Sequence, residues 1–263
     1  MSIIIGIICN GGIVVASDSQ VSFGNTKRMD AEKIRTVRFK NSDSRLVGCG
    51  LIANSGDIVY SQRAVEITCE LCLEQDFTDG RQIAENAAKA SLRLQREMKE
   101  PYVGIGGKPE DFHNLFAQNT YSLLMASMTH GPSLYVLDFP GGLGCKQNNY
   151  VAIGCGANLA TFLLSWFNFH SMDVSETSIT AAFIINEVKK NDAFCGGRTQ
   201  ISYVTFDGQV MSYIPAIMDA TEKQIEYFSQ DFKKKWSATV IEISDEVLKQ
   251  TPEIIARLNL DVK

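Results

Sequence analysis

The first strong pattern along the chain is a pair of apolar runs, Ile3 to Cys9 and Ile13 to Ala16, on either side of Asn10-Gly11-Gly12. Ile, Val and Cys suit a buried pleated surface, and Asn-Gly supplies the positive φ angles of a tight turn. Two buried antiparallel strands are therefore predicted. The second run ends on Ser17-Asp18-Ser19-Gln20, which puts a carboxylate where a buried strand stops. Val21 to Thr26, Lys33 to Phe39 and the short Arg45 to Cys49 read as further extended segments. The apolar spacing then changes to three and four. Ile58, Val65, Cys69 and Cys72 predict a helix capped by Asn54 or Ser55 and running to about Glu74. Ile83, Ala87, Ala90, Leu94 and Met98 predict a second helix, from roughly Asp79 to Lys99, and Pro101 to Asn114 reads as a Gly-rich loop.

The second half repeats this order. Tyr121 to Met128, Ser133 to Asp138 and Tyr150 to Ile153 read as strands. Leu159, Phe162, Leu163, Trp166 and Phe167 form one face of a third helix, and Ala181, Ile184, Ile185 and Val188 align in a fourth from about Thr177 to Lys190. Ile201 to Phe206 and Gln209 to Ile214 make a hairpin across Asp207-Gly208. Strands, two helices, strands, two helices and strands predict an α+β architecture: two antiparallel sheets face to face, with helices on both outer faces. No internal repeat or low-complexity linker divides the chain, so residues 2–214 are expected to form one domain. Residues 215–263 are expected to be a helical C-terminal extension packed on it. There Ile225, Phe228, Phe232 and Trp236 form an apolar stripe, and Ser244 and Thr251-Pro252 look like starts of two more short helices.

Composition narrows the function classes. With 263 residues and 45% hydrophobic content, the chain can bury a sizeable core. A formal net charge of -5 speaks against a nucleic-acid surface. No apolar stretch approaches the ~20 residues that span a bilayer, and Asn10-Gly11-Gly12 interrupts the first run too early for a signal peptide. Seven cysteines, an odd number, read as reduced thiols in a cytoplasm. Cys69 and Cys72 form a C-x-x-C inside a predicted helix with no second pair, which reads as core packing. His113, His130 and His170 stand far apart, so neither a His-based triad nor a metal centre is expected, and no cofactor is implied. The GIGGKPE stretch lacks the Ser or Thr that follows the lysine of a phosphate loop, and no strand precedes it. One chemical feature stands out: removal of Met1 would leave Ser2 with a hydroxyl and a free α-amine on one residue.

Several separated stretches resemble one family. SIIIGI…NGGIVVASDSQVSFGNT is similar to the N-terminus of proteasome β-subunits, and more closely to that of the bacterial HslV peptidase. AEKIRTV resembles the family's lysine strand, GCGLIANSGD its substrate-binding turn, YVAIGCGA the turn into the third helix, and NDAFCGG the acidic motif after the fourth. They occur in family order between residue 2 and about 214. The resemblance implies the four-layer αββα sandwich of N-terminal-nucleophile hydrolases, in agreement with the element order. It gives Ser2 the place of the nucleophilic threonine. Asp18, Lys33 and Asp192 take the places of the catalytic aspartate, lysine and second aspartate. Cys155 and Cys195 stand where serines usually hydrogen-bond around the amino end. Ala53 falls at the oxyanion position, normally glycine, and Ser22 at the residue whose backbone aligns the substrate strand.

The chemistry explains these residue types. A serine hydroxyl is a weak nucleophile until a base takes its proton. An α-amine with an ordinary pKa of about 7.7–8.0 can be that base. A neighbouring ammonium lowers the cost of the alkoxide. The resemblance further implies a homo-oligomeric double ring of twelve or fourteen chains, leaning to fourteen, that cleaves unfolded polypeptides inside the ring. It leaves an ATP-driven unfoldase partner open. The long tail and the long 100–119 loop point to a bacterial branch separate from HslV, such as the betaproteobacterial proteasome homologue. The competing reading is a catalytically silent ring subunit; the joint retention of Ser2, Asp18, Lys33 and Asp192 favours the peptidase. A small-molecule amidase on the same fold is a third.

Overall fold

The computed structural model describes residues 2–231, apart from 24–25, 29, 41–42, 44–45, 77–78, 109–110, 113–119 and 141–143, together with residues 234–235. Residues 1–219 form one compact unit and residues 220–263 another. The first unit contains two five-stranded antiparallel sheets. One consists of β1 (Ile3–Cys9), β2 (Gly12–Asp18), β10 (Tyr150–Gly154), β11 (Thr199–Thr205) and β12 (Val210–Ser212), in the order β10-β1-β2-β11-β12. The other runs in sequence order through β5 (Ile34–Lys40), β6 (Leu46–Gly56), β7 (Tyr121–Ser127), β8 (Ser133–Phe139) and β9 (Cys145–Gln147). A two-stranded ribbon, β3 (Val21–Phe23) with β4 (Thr26–Arg28), follows β2.

The apolar pattern of β1 and β2 explains why they sit at the centre. Every residue of both strands is buried. Ile4, Ile8, Ile13 and Val15 meet Leu51, Leu124, Ala126 and Leu134 of the opposite sheet. Each such side chain contributes about 1.5–3 kcal/mol when fully buried. Gly6 lies at the closest approach of the layers, where a Cβ would stand 2.8 Å from Leu134 Cδ1. Helices cover both outer faces. α1 (Ile58–Glu74) and α2 (Arg81–Gly104) pack on the β5–β9 sheet through Ala64, Ile67, Ile83, Ala87 and Leu94. α3 (Ala157–Leu164) and α4 (Val174–Asn191) pack on the β1 sheet. The fold is an α+β, four-layer αββα sandwich.

The boundaries depart from the sequence pattern in instructive ways. Asn54 and Ser55 do not cap α1; they are buried in β6, which continues well past Cys49 because Leu51, Ile52 and Ala53 extend the apolar strand. Gly56 then turns the chain at φ +101, and Asp57 caps the helix by accepting from Val59 N at 3.0 Å and Tyr60 N at 3.1 Å. α2 runs through Pro101 to Gly104, where a loop is predicted. In α3 the buried residues are Ala160, Leu163 and Leu164; Phe162 and Trp166 lie on the outside, 57% and 60% exposed. α4 starts three residues early because Asp173 and Glu176 form a reciprocal capping box. Cys69 and Cys72 sit in α1, Cys72 buried, as the packing reading expects.

In the second unit, residues 220–231 are helical, with Ile225 buried and Phe228 exposed. Phe232, Trp236, Ser244, Thr251 and Pro252 lie outside the described residues. Among the described residues no helix is long and apolar enough to cross a membrane.

Candidate active site

The hairpin register sets the site. Pairing of Ile4 with Ser17 brings the start of β1 beside the end of β2, so Ser2 meets Asp18. Asp18 Oδ1 accepts from Ile3 N at 3.0 Å and from Ser2 Oγ at 3.2 Å, while Oδ2 accepts from Gly196 N at 2.9 Å. Lys33 precedes β5 in the other sheet, and its backbone N–H donates to Gln200 Oε1 at 3.0 Å. Its side chain crosses between the layers. Lys33 Nζ donates to Asp18 Oδ1 at 2.6 Å, Gln20 O at 2.6 Å and Ser2 Oγ at 2.9 Å. An ammonium has three N–H groups, and all three have partners here.

This cluster is dry: Lys33 is 2% exposed, Asp18 0% and Ser2 2%. Burial pulls the Lys33 ammonium below its ordinary pKa, and the Asp18 carboxylate opposes that pull. The hydroxyl of Ser2 thus touches a buried ammonium, the kind of group that stabilises an alkoxide.

The nitrogen side of Ser2 is built differently. Ser2 N donates to Cys155 Sγ at 3.1 Å, and Cys155 Sγ in turn donates to Ser2 O at 3.3 Å. Cys155 and Cys195 face each other at an Sγ–Sγ distance of 3.6 Å. Asp192 ends α4, accepts from Phe194 N at 2.8 Å, and offers a carboxylate oxygen within 4.8 Å of both sulfurs. The contact with the Cys195 thiol brings the Cys155 thiol down to about 7, helped by its hydrogen bond to Ser2 and against its burial. The same contact, with burial and the Asp18 charge, pushes Cys195 up.

Of the residues singled out in the sequence, Ser2, Asp18 and Lys33 come together around one oxygen; Cys155 meets the Ser2 nitrogen, with Cys195 and Asp192 clustered about the Cys155 sulfur. Ala53 joins neither group. It lies wholly buried inside β6, opposite Ile34 on one side and Leu124 on the other, and its neighbour Asn54 N donates to Lys33 O at 3.2 Å. Because N–H groups alternate along a strand, the Ala53 N–H points to the β7 side of β6. Ser22 lies in β3 opposite Lys27, on the ribbon beyond Gln20.

Pattern reading missed several contributors: the Gln20 carbonyl, the Gly196 N–H and Gly154. Gly154 ends β10 opposite Ile3 at φ +99, and a Cβ there would fall 2.1 Å from Ser2 O. Only glycine permits that approach. The Gly196-Gly197 pair was the one readable signal, since a turn commonly presents N–H groups to a carboxylate. Gly154 and Cys155 also wall a cavity of about 490 Å³ with Ser55, Tyr121 and Ser122.

No protein-family model matches the sequence. Curated relatives do. The chain is 25% identical over 209 residues to proteasome subunit beta 2 of Pyrococcus furiosus, covering 78% of this chain and 87% of that one. It is 28% identical over 207 residues to proteasome subunit beta 1 of Thermococcus onnurineus, covering 78% and 88%. Among solved structures, Anbu of Hyphomicrobium sp. strain MC1, in a Gly-1 mutant form, superposes with a TM-score of 0.68 at 13% identity, covering 90% of this chain and 97% of that one. The chain is thus similar in sequence to proteasome β-subunits and shares its fold with Anbu.

Proposed function

We propose that the chain is the subunit of a cytoplasmic, self-compartmentalised peptidase that hydrolyses unfolded polypeptides with Ser2 as nucleophile after Met1 removal. The observation that carries this reading is the buried 2.9 Å contact between Lys33 Nζ and Ser2 Oγ, with Asp18 holding both. The freed Ser2 amine takes the hydroxyl proton, Oγ attacks the substrate carbonyl, and the Lys33 ammonium offsets the charge on oxygen as it leaves the proton. Collapse of the tetrahedral intermediate passes the proton to the departing amine and leaves an ester on Ser2. Water then attacks that ester, with the amine again as base. Cys155, Cys195 and Asp192 orient the nitrogen during these transfers.

A silent ring subunit is the competing reading, favoured by the 2% exposure of Ser2 and by thiols where the resembled family has hydroxyls. An epoxyketone inhibitor separates the two, because its ring adduct needs the hydroxyl and the free amine on one residue. Processed protein is expected to gain the adduct on Ser2 and to cleave an unfolded peptide; protein with neither property is a shell.

Assembly is part of the proposal. Exposed Phe162 on α3 and Trp166 in the turn after it, their rings 5.2 Å apart, and exposed Ile179 on α4 leave apolar surface on the outer helical layer. A homo-oligomer covers such surface, and a double ring of twelve or fourteen chains, leaning to fourteen, is expected. A solved neighbour at a TM-score of 0.64, from Pseudomonas aeruginosa, is described as a helical assembly of the Anbu complex, so an open spiral is the outcome to exclude. Sedimentation with electron microscopy of the processed protein decides among ring, spiral and monomer. An ATP-driven unfoldase as partner would show as stimulated degradation of folded substrates.

A further inference from the structure

We infer that Cys155, Asp192 and Cys195 form a binding site for a divalent zinc-type cation, and that the free Ser2 amine is its fourth ligand. The donor set is two sulfurs and a carboxylate oxygen, drawn from the turn before α3 and from the segment after α4, with all three ligand atoms within 4.8 Å of one another. Two thiolates on one tetrahedral zinc, each about 2.3 Å from the metal, stand about 3.8 Å apart. The observed 3.6 Å between Cys155 and Cys195 Sγ is close to that edge and far from the ~2.05 Å of a disulfide. Ser2 N, 3.1 Å from Cys155 Sγ, supplies nitrogen at the rim of the same cluster. An amine nitrogen and a thiolate on one zinc stand about 3.6 Å apart, so Ser2 N would move about half an ångström from Cys155 Sγ on taking the fourth place.

The ligand types select the metal. Thiolates with one nitrogen and one carboxylate suit zinc or cobalt far better than magnesium or calcium, which take oxygen ligands. Binding displaces the thiol protons and, once Met1 is gone, engages the lone pair of the Ser2 amine. That lone pair is the base of the proposed reaction, so the metal acts as a reversible brake on the peptidase. This second consequence rests on the peptidase reading; the three side-chain ligands do not.

Cobalt(II) titration of the intact, processed protein tests the site, since tetrahedral cobalt with thiolate ligands gives a charge-transfer band in the near ultraviolet. One cobalt per chain is expected to produce the band, and zinc to displace it. The band should survive in C69S/C72S, which removes the other close cysteine pair. It should be lost in C155S/C195S and weakened in C155A, a single change at an exposed position that spares the buried thiol. A band that persists in both Cys155 variants, or vanishes with C69S/C72S, overturns the site. Chain retaining Met1 should bind cobalt about ten- to a hundredfold more weakly, as an amide nitrogen cannot replace the amine; equal affinity removes Ser2 from the ligand set. Zinc at saturation should stop peptide cleavage, and a chelator should restore it. Cobalt binding without peptidase activity in metal-free buffer supports the site and rejects the peptidase reading. Peptidase activity without a cobalt band rejects the site alone.

Discussion

On its oxygen side Ser2 meets an ammonium and a carboxylate, both buried, with Lys33 at 2.9 Å from the hydroxyl and 2.6 Å from Asp18. On its nitrogen side it meets an exposed thiol at 3.1 Å, backed by a second thiol another 3.6 Å away. Charge-assisted hydrogen bonds in a dry interior are short, strong and directional, whereas thiols donate and accept weakly. One residue is therefore gripped at its hydroxyl and loosely held at its nitrogen. The difference ranks what substitutions should do: changes on the oxygen side remove chemistry, and changes on the nitrogen side tune it.

The largest effects follow on the oxygen side. Ser2→Ala should abolish turnover while leaving the oligomer intact. Lys33→Ala should lower kcat/KM by about a hundred- to ten-thousandfold, the range for a positioned proton-transfer group. Peptide hydrolysis and sedimentation on the same samples check both. Residual activity of Ser2→Ala equal to the parent would move the nucleophile elsewhere and erase the contrast between the two sides.

Asp18 comes next, and it tests stability as well as rate. Its carboxylate answers the buried ammonium and also holds Ile3 N and Gly196 N. Breaking a buried pair by removing one partner costs about 3–5 kcal/mol, so Asp18→Ala should show that loss in denaturant unfolding. The milder Asp18→Asn gives a pH test. The alkaline limb of kcat/KM marks loss of the Lys33 proton and should lie below the ordinary 10.5, since burial lowers this group. Asp18 raises it, so removal of the carboxylate should shift the limb to still lower pH. An unmoved limb would show that Lys33 does not set it.

The legibility of these two sides in the sequence was as unequal as their chemistry. Asp18 could be read because it stands at a sharp boundary between an apolar strand and polar chain, whereas Lys33 was reached only through the family resemblance of AEKIRTV. The sandwich itself was legible because β1 is an unbroken apolar run and α4 carries a period of 3.6. What failed depended on partners that no local pattern carries. Asn54 and Ser55 look like helix caps, but pairing with Leu123 and Ser122 of β7 holds them in β6. Phe162 and Trp166 have helical spacing, yet the buried stripe of α3 lies on Ala160, Leu163 and Leu164. The Gly196 N–H and Gln20 carbonyl are backbone groups, invisible to side-chain pattern, and they complete the oxygen side.

On the nitrogen side the effects should be smaller. Asp192→Asn should lower turnover, by about tenfold, as the charge near the amine disappears while the helix end stays intact. C155S/C195S, assayed with a chelator present, should raise turnover a few-fold, because hydroxyls hydrogen-bond more strongly than thiols. A loss beyond about a hundredfold in C155S/C195S would show that the nitrogen side is as demanding as the oxygen side.

The smallest change sharpens the comparison most. Ser2→Thr adds one methyl at Cβ and confines χ1 without altering the nucleophilic oxygen. If Lys33 and Asp18 already fix that oxygen through their contacts at 2.9 Å and 3.2 Å, there is little rotamer freedom left for the methyl to remove. Turnover of processed Ser2→Thr should then stay within about threefold of the parent, with any gain in kcat rather than KM, since the methyl acts on the reacting atom and not on substrate binding. A gain of more than about tenfold would mean that the hydroxyl samples several rotamers and that the two charged partners hold it only part of the time. Complete loss of activity in a folded, processed Ser2→Thr would point the other way, to a site packed so closely around Gly154 that shape, rather than charge, decides what can occupy the N-terminal position.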